Sequence, residues 1–136
     1  MNARAKKGDK WLAIVADMDG LKYLNDNFGH SKGDEGLSFI AETMQKIAQI
    51  DEACVRNGGD EFAIVGLGHY SDKEIQERIN RFNALINAYN SDSPVSFNAS
   101  IGYCIMPWGK PQAFEKALEE ADVNMYLDKR QKKNRR

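Results

Sequence analysis

Ala53-Cys54-Val55-Arg56-Asn57-Gly58-Gly59-Asp60-Glu61-Phe62-Ala63-Ile64-Val65 reads as two strand-like runs joined by paired glycines and two acids. Glycine reaches positive φ without a steric penalty, so paired glycines between β-prone segments predict a tight hairpin. A hairpin tip needs no carboxylates in order to fold. Asp60 and Glu61 share a small exposed space there and repel each other, and a divalent cation relieves that repulsion.

Upstream, Trp11-Leu12-Ala13-Ile14-Val15-Ala16 is a continuous apolar run of strand length, as expected for a strand covered on both faces. It ends in Asp17-Met18-Asp19-Gly20. Carboxylates at the carboxyl end of a buried strand lie where open α/β sheets place ligands. The economical inference is that Asp17 and a hairpin acid meet across neighbouring strands and hold Mg²⁺. One or two carboxylates completed by substrate phosphates is the usual way that ion is bound.

Around these two acid clusters, apolar periodicity predicts a helix from about Asp34 to Gln49, with Leu37, Ile40, Ala41, Met44, Ile47 and Ala48 at helical spacing. Ser71-Asp72-Lys73-Glu74 has capping-box spacing and opens a second helix, striped by Ile75, Ile79, Phe82, Leu85, Ile86 and Tyr89. After Pro94, alternation places Val95, Phe97, Ala99, Ile101, Tyr103 and Ile105 on one face of a strand and Ser96, Asn98 and Ser100 on the other. A last helix runs from about Gln112 to Lys129, with Phe114, Ala117, Leu118, Ala121 and Met125 inward. The order is βαββαβ plus one helix: an α+β, ferredoxin-like palm whose central antiparallel sheet is flanked by helices.

The chain has 136 residues and a formal charge of −1. That length suits one domain with its own core, and the charge gives no global attraction to nucleic acid or anionic membrane. No apolar run is long enough to span a bilayer and no signal-peptide pattern is present. Cys54 and Cys104 fall inside expected strands and read as reduced thiols, which fits a cytoplasmic setting. His30 has no second His or Cys at ligand spacing and reads as a loop or core residue rather than a metal ligand.

Several blocks, in order, resemble the GGDEF family of diguanylate cyclases, a nucleotidyl cyclase-like fold. The first is Asp17-Met18-Asp19-Gly20-Leu21-Lys22-Tyr23-Leu24-Asn25-Asp26, continued by Phe28-Gly29-His30, Gly33-Asp34 and Leu37. The hairpin itself follows, then Ala99-Ser100-Ile101-Gly102 and Ala121-Asp122-Val123-Asn124-Met125-Tyr126 with Lys129. The blocks span roughly residues 11–134, so the expected division is a GGDEF domain over 11–136 behind an N-terminal stub over 1–10.

The resemblance implies condensation of two GTP molecules into cyclic di-GMP and pyrophosphate, with Mg²⁺ (or Mn²⁺) as cofactor. It implies a homodimer with facing sites, and an upstream sensory domain beyond this segment. By the matching positions, Asp17, the Met18 carbonyl and Asp60 hold the metal. Asp60 and Glu61 are the catalytic pair, Glu61 acting as either ligand or base. Gly58 and Gly59 admit the triphosphate. Lys22 and the Gly20 and Leu21 amides contact phosphate, as do Lys129 and Lys133. Asn25 and Asp34 read guanine, whose adjacent N–H donors suit a carboxylate, although Asp34 also reads as a helix N-terminal acid and Asn25 as a loop-capping amide. Arg56 is structural or pairs with nearby carboxylates, Asp19 organises the loop after the first strand, and Asp122 is structural.

Some positions depart from the family pattern. Gln49 and Glu52 stand where many members carry the Arg-x-x-Asp of an inhibitory product site, so no such site is expected. Lys133 replaces a usual arginine, Leu21 a usual aromatic, and Asp128 a usual alanine, which adds an acid near the expected triphosphate. The family's opening helix is missing. Two other readings remain: a catalytically weak GTP-binding regulatory or interaction module, and a related cyclase making another dinucleotide.

Overall fold

The structure is a computed structural model and describes residues 8–134. Residues 1–7 of the expected N-terminal stub lie outside the described residues. In chain order the elements are β1 (Lys10–Asp19), α1 (Leu21–Phe28), α2 (His30–Ile47), β2 (Ala53–Asn57), β3 (Glu61–Gly68), α3 (Asp72–Ser91), β4 (Asn98–Pro107) and α4 (Ala113–Asn134). The strands form one antiparallel sheet in the order β2-β3-β1-β4. That is the ferredoxin-like arrangement with a helix added at the end.

Both faces of the sheet are covered, which accounts for the unbroken apolar run of β1. Leu12, Ile14, Ala16 and Met18 face α2 and α3 and pack with Ile40, Met44, Ile75, Phe82 and Phe97. The intervening Ala13 and Val15 face α4, against Ala117, Ala121 and Met125. The central strand residues on this second face (Ala13, Val15, Ala63) are small because α4 lies almost on the strands. A Cβ at Gly102 of β4 would fall 2.1 Å from the Met125 backbone nitrogen. Only glycine allows that approach. Each large side chain sealed in these layers contributes about 1.5–3 kcal/mol of burial free energy.

Helix α3 starts as its sequence foretells, the Ser71 hydroxyl accepting from the Glu74 amide at 3.3 Å. The first helical region differs from expectation. Residues 21–28 form α1, and α2 begins at His30 rather than near Asp34. Asp34 is therefore the fifth residue of α2, beyond the first turn where a helix dipole acts on an acid, and Asn25 sits on a helix rather than in a loop. The residues responsible are Leu21, Leu24 and Phe28, a stripe of two turns interrupted by Asn25 and Asn27 and flanked by Gly20 and Gly29. So short a helix is held by packing against α2, not by local propensity. His30 is exposed at the first position of α2. Both thiols are free. Burial, with Glu120 close by, raises the Cys104 thiol to about 11, so it stays protonated.

A buried ion pair ties the start of β2 to α3. Arg78 grips Glu52 with two hydrogen bonds, of 2.7 and 2.8 Å. The Tyr70 hydroxyl (2.9 Å) and the Gln49 amide (2.9 Å) donate to the same carboxylate. The Glu52 side chain is 0% exposed and that of Arg78 is 9% exposed. Burial pushes the Glu52 carboxyl up, but the bonds from Arg78, Gln49 and Tyr70 outweigh it and hold the group below the usual glutamate range.

Candidate active site

The acids gather at one end of the α4-side face. Alternation along β1 carries Ala13 and Val15 under α4 and continues to Asp17 and Asp19 on that side. Register places Asp17 directly opposite Glu61 of β3 and opposite Ser100 of β4. Residues opposite each other on paired strands share a face. Asp60 ends the hairpin turn beside them, and its carbonyl accepts from the Met18 amide at 3.1 Å. The amide and carbonyl of a strand residue point to the same edge, so the Met18 carbonyl also faces the hairpin.

Lys129 of α4 crosses above this cluster, 2.8 Å from Asp17 Oδ2 and 3.6 Å from Asp19 Oδ1. Ser100, itself fully buried, donates to Asp19 at 2.9 Å. Asp19 thus belongs to the charge cluster rather than merely organising a loop. Burial raises the Asp17 carboxyl above the usual aspartate range; Lys129 opposes this, and the neighbouring Asp60 adds to it. Glu61 is raised by burial and then by the charges of Asp122, Asp17 and Asp60, with Asn57 opposing. Asp122 therefore acts on the site electrostatically. Burial alone would lower the Lys129 ammonium, but its bond to Asp17 and the charges of Asp17, Asp19 and Asp60 raise it.

One atom shows what the cluster lacks. Asp17 Oδ1 is buried and has no hydrogen-bond partner among the described residues. An orphaned carboxylate oxygen beside Asp60 and the Met18 carbonyl is a hard oxygen set, suited to Mg²⁺ or Mn²⁺. Among the described residues no three of His, Cys, Asp or Glu are arranged to hold a metal by themselves. A cation held here would have at most two carboxylates and a carbonyl from the described residues and would need further ligands to complete its shell.

Next to the acids lies an anion-binding arrangement. Gly20 caps α1 in the left-handed region (φ 68°), with no side-chain cap bond and no acid in the first turn. The first amides of α1, beginning at Leu21, are therefore open donors at the positive end of a helix. Lys22 is exposed on that turn. Asp19, Gly20, Lys129, Lys132 and Lys133 line one cleft of about 290 Å³. Lys132 was not among the expected residues, although its spacing from Lys129 places both on adjoining helical turns. Asp128 stands beside this cleft rather than in its lining: its carboxylate accepts from the Ile101 amide of β4 at 3.0 Å and pairs with Lys132 at 3.1 Å.

A second cleft, of about 450 Å³, lies between α2 and the β2–β3 pair, lined by Asp34, Leu37, Ser38, Arg56 and Phe62 among others. Asn25 of α1 is not in the lining of this cleft and lies against α2 beside it. Its Oδ1 would be 1.9 Å from a Cβ at Gly33, the residue before Asp34. At the hairpin tip, Gly58 has φ 75° and Gly59 is exposed. Arg56 braces the turn by donating from Nε to the Gly59 carbonyl at 3.2 Å, and its guanidinium lies 5.7 Å from the Phe62 ring centre. It pairs with backbone, not with a carboxylate.

Comparison with known proteins agrees with this arrangement. The family model for "Diguanylate cyclase, GGDEF domain" matches residues 1–135. The chain is 32% identical over 134 residues to diguanylate cyclase DgcN of Escherichia coli (strain K12), covering 96% of this chain and 32% of that protein. It is 30% identical to diguanylate cyclase DgcP of Pseudomonas aeruginosa, covering 97% of this chain and 20% of the relative. It thus spans a third or less of these relatives' lengths. Among solved structures, the GGDEF domain of TpbB (YfiN) from Pseudomonas aeruginosa superposes with a TM-score of 0.75 at 28% identity, over 90% of this chain and 73% of that one. The GGDEF domain of DgcB from Caulobacter crescentus, solved with c-di-GMP, has the same fold, with a TM-score of 0.78 at 22% identity over 90% and 74% of the two chains. With its hairpin, its acid cluster and a family match along nearly its whole length, the chain belongs to the GGDEF-domain family of diguanylate cyclases.

Proposed function

We propose that this domain condenses two GTP molecules into cyclic di-GMP, one GTP bound by each of two facing copies. The observation that carries this reading is the unpartnered, buried Asp17 Oδ1 beside Asp60, next to open helix amides and a lysine cluster. Asp17, Asp60 and the Met18 carbonyl would hold Mg²⁺ or Mn²⁺, which supplies charge neutralisation for the triphosphate. The α1 amides of Leu21 and Lys22 receive phosphate oxygens, with Gly20 and the hairpin glycines Gly58 and Gly59 keeping bulk away. Lys22, Lys129 and Lys133 add positive charge. Asn25 and Asp34 accept the paired donors of guanine, whereas adenine would leave Asp34 without a partner. Glu61, whose carboxyl is raised, would take the proton of the attacking 3′-hydroxyl. The weaker reading, a GTP-binding module without turnover, is not favoured, because the family match runs along nearly the whole chain and its relatives are diguanylate cyclases.

The test is incubation with GTP and Mg²⁺ at high protein concentration, or with the domain fused to a dimerising helix, followed by chromatography. Cyclic di-GMP is the expected product. GTP bound but unconverted in the forced dimer would leave only the binding module.

Gly33→Ala tests the assignment of Asn25. The added methyl must displace the Asn25 amide, the mobile end of a side chain, so the fold is retained. The KM for GTP is expected to rise about tenfold and preference over ATP to shrink, as when a buried polar recognition group is misplaced. Unchanged KM and preference would remove Asn25 from the base site.

We also propose that product does not inhibit through the Gln49–Glu52 region. The Glu52 carboxylate is filled by Arg78, Tyr70 and Gln49, and the Gln49 side-chain amide donates to Glu74 at 3.3 Å. Initial rates should stay constant when cyclic di-GMP is added at low micromolar concentration. Inhibition that Gln49→Ala abolished would contradict this.

A further inference from the structure

β4 is an edge strand, and its free side is not left to solvent. Three residues of α4 spaced by four run along it. Asn124 Nδ2 donates to the Tyr103 carbonyl at 2.9 Å, Asp128 Oδ2 accepts from the Ile101 amide at 3.0 Å, and Lys132 Nζ donates to the Ala99 carbonyl at 2.5 Å. The strand positions step back by two while the helix positions step forward by four. The steps nearly match, at about 6.7 Å for two strand residues and about 6.0 Å for four helical ones. Lys132 also pairs with Asp128 at 3.1 Å, joining the last two rungs. Gly102 lets the helix backbone settle between the rungs.

This rail fixes how α4 is rotated about its axis. Lys129 follows Asp128 directly and points about 100° away around the helix. With Asp128 fastened to the strand edge, Lys129 is directed over the acids, to Asp17 and Asp19. We propose that Asp128 is a positioning residue for the condensation, holding Lys129 over Asp17 by latching α4 to the outer edge of β4. The proposal rests on the reading of the site given above. It assigns a task to an acid that stands where the family usually has alanine.

Asp128→Ala and Asp128→Asn in the full chain test it, since asparagine still accepts from the Ile101 amide. Three readouts are compared: hydrogen exchange of the Ile101 amide, competitive acetylation of Lys129 against exposed Lys116, and KM and kcat for GTP. In the alanine variant Ile101 exchange is expected to accelerate. Lys129 acetylation and KM are each expected to rise about two- to fivefold, the range a partly exposed ion pair supports, with kcat nearly unchanged. Asparagine should restore most of each. Faster Ile101 exchange with unchanged Lys129 labelling would overturn the proposal and leave the rail as edge protection alone. If the alanine variant does not fold, Asn124→Ala removes the rung to Tyr103, outside the lysine cleft, and is read by Lys129 labelling: faster labelling supports the latch and unchanged labelling overturns it. A wild-type chain that makes no cyclic di-GMP would defeat the catalytic reading, while exchange and labelling would still decide whether Asp128 positions Lys129.

Discussion

Asp17→Asn is expected to reduce cyclic di-GMP formation by about a thousandfold or more while leaving the fold intact. The substitution keeps the shape of the side chain and removes the charge of the proposed ligand whose oxygen is buried and unpartnered among the described residues. Stability should move little. Asp17 loses a partly exposed pair with Lys129, worth at most about 1 kcal/mol, and sheds its repulsion with Asp60. The direction depends on pH. Because the carboxyl is raised in the folded state, the fold holds that proton more tightly than the unfolded chain does. Ionisation as pH rises through this window therefore weakens the metal-free fold. The asparagine variant should gain relative stability above that window and lose the gain in acid. Thermal melts at several pH values, run beside activity assays, check both halves. Retained turnover would remove Asp17 from the metal site.

Arg78→Ala is expected to be the most destabilising single change at any charged residue described above, by about 3–5 kcal/mol. It would leave Glu52, with no exposed surface, as an uncompensated buried charge and would strip two of its hydrogen bonds. For a domain of this size that corresponds to a fall in Tm of roughly 10–20 °C. Replacing both partners, Glu52→Met with Arg78→Met, should recover much of the loss, since a well-packed apolar pair removes the stranded charge. Glu52 lies below the usual glutamate range when folded, so its contribution is present above its unfolded pKa and lost as pH falls through the folded one. The gap between wild type and Arg78→Ala should therefore narrow in acid. Denaturant titration at neutral and low pH measures it. A loss below about 1 kcal/mol would show that the pair contributes little.

The strands were legible because each carries a local signal. The apolar run before Asp17 and the paired glycines before Asp60 fix β1 and the β2–β3 hairpin, and alternation after Pro94 fixes β4. The acids were legible for a related reason: carboxylates have no folding role at a strand end or a hairpin tip, so their presence there called for a ligand. Helix α1 was hidden because eight residues give barely two turns of pattern, broken by two asparagines and bounded by glycines. The Glu52–Arg78 pair joins positions 26 apart, and no local spacing announces such a partnership. The contact made by Asp128 was hidden for a different reason. The family pattern put an acid near the triphosphate, but adjacent helical residues point in different directions, and no local spacing shows that this side chain bonds the β4 edge.

Soaking or co-crystallising the domain with Mn²⁺ and a non-hydrolysable GTP analogue tests the central claim most directly. The account predicts an anomalous peak bonded to Asp17 and Asp60 at about 2.0–2.3 Å, with the base against Asn25 and Asp34 and Lys129 released from Asp17 toward phosphate. Nucleotide bound elsewhere, or bound here with no metal between Asp17 and Asp60, would contradict it.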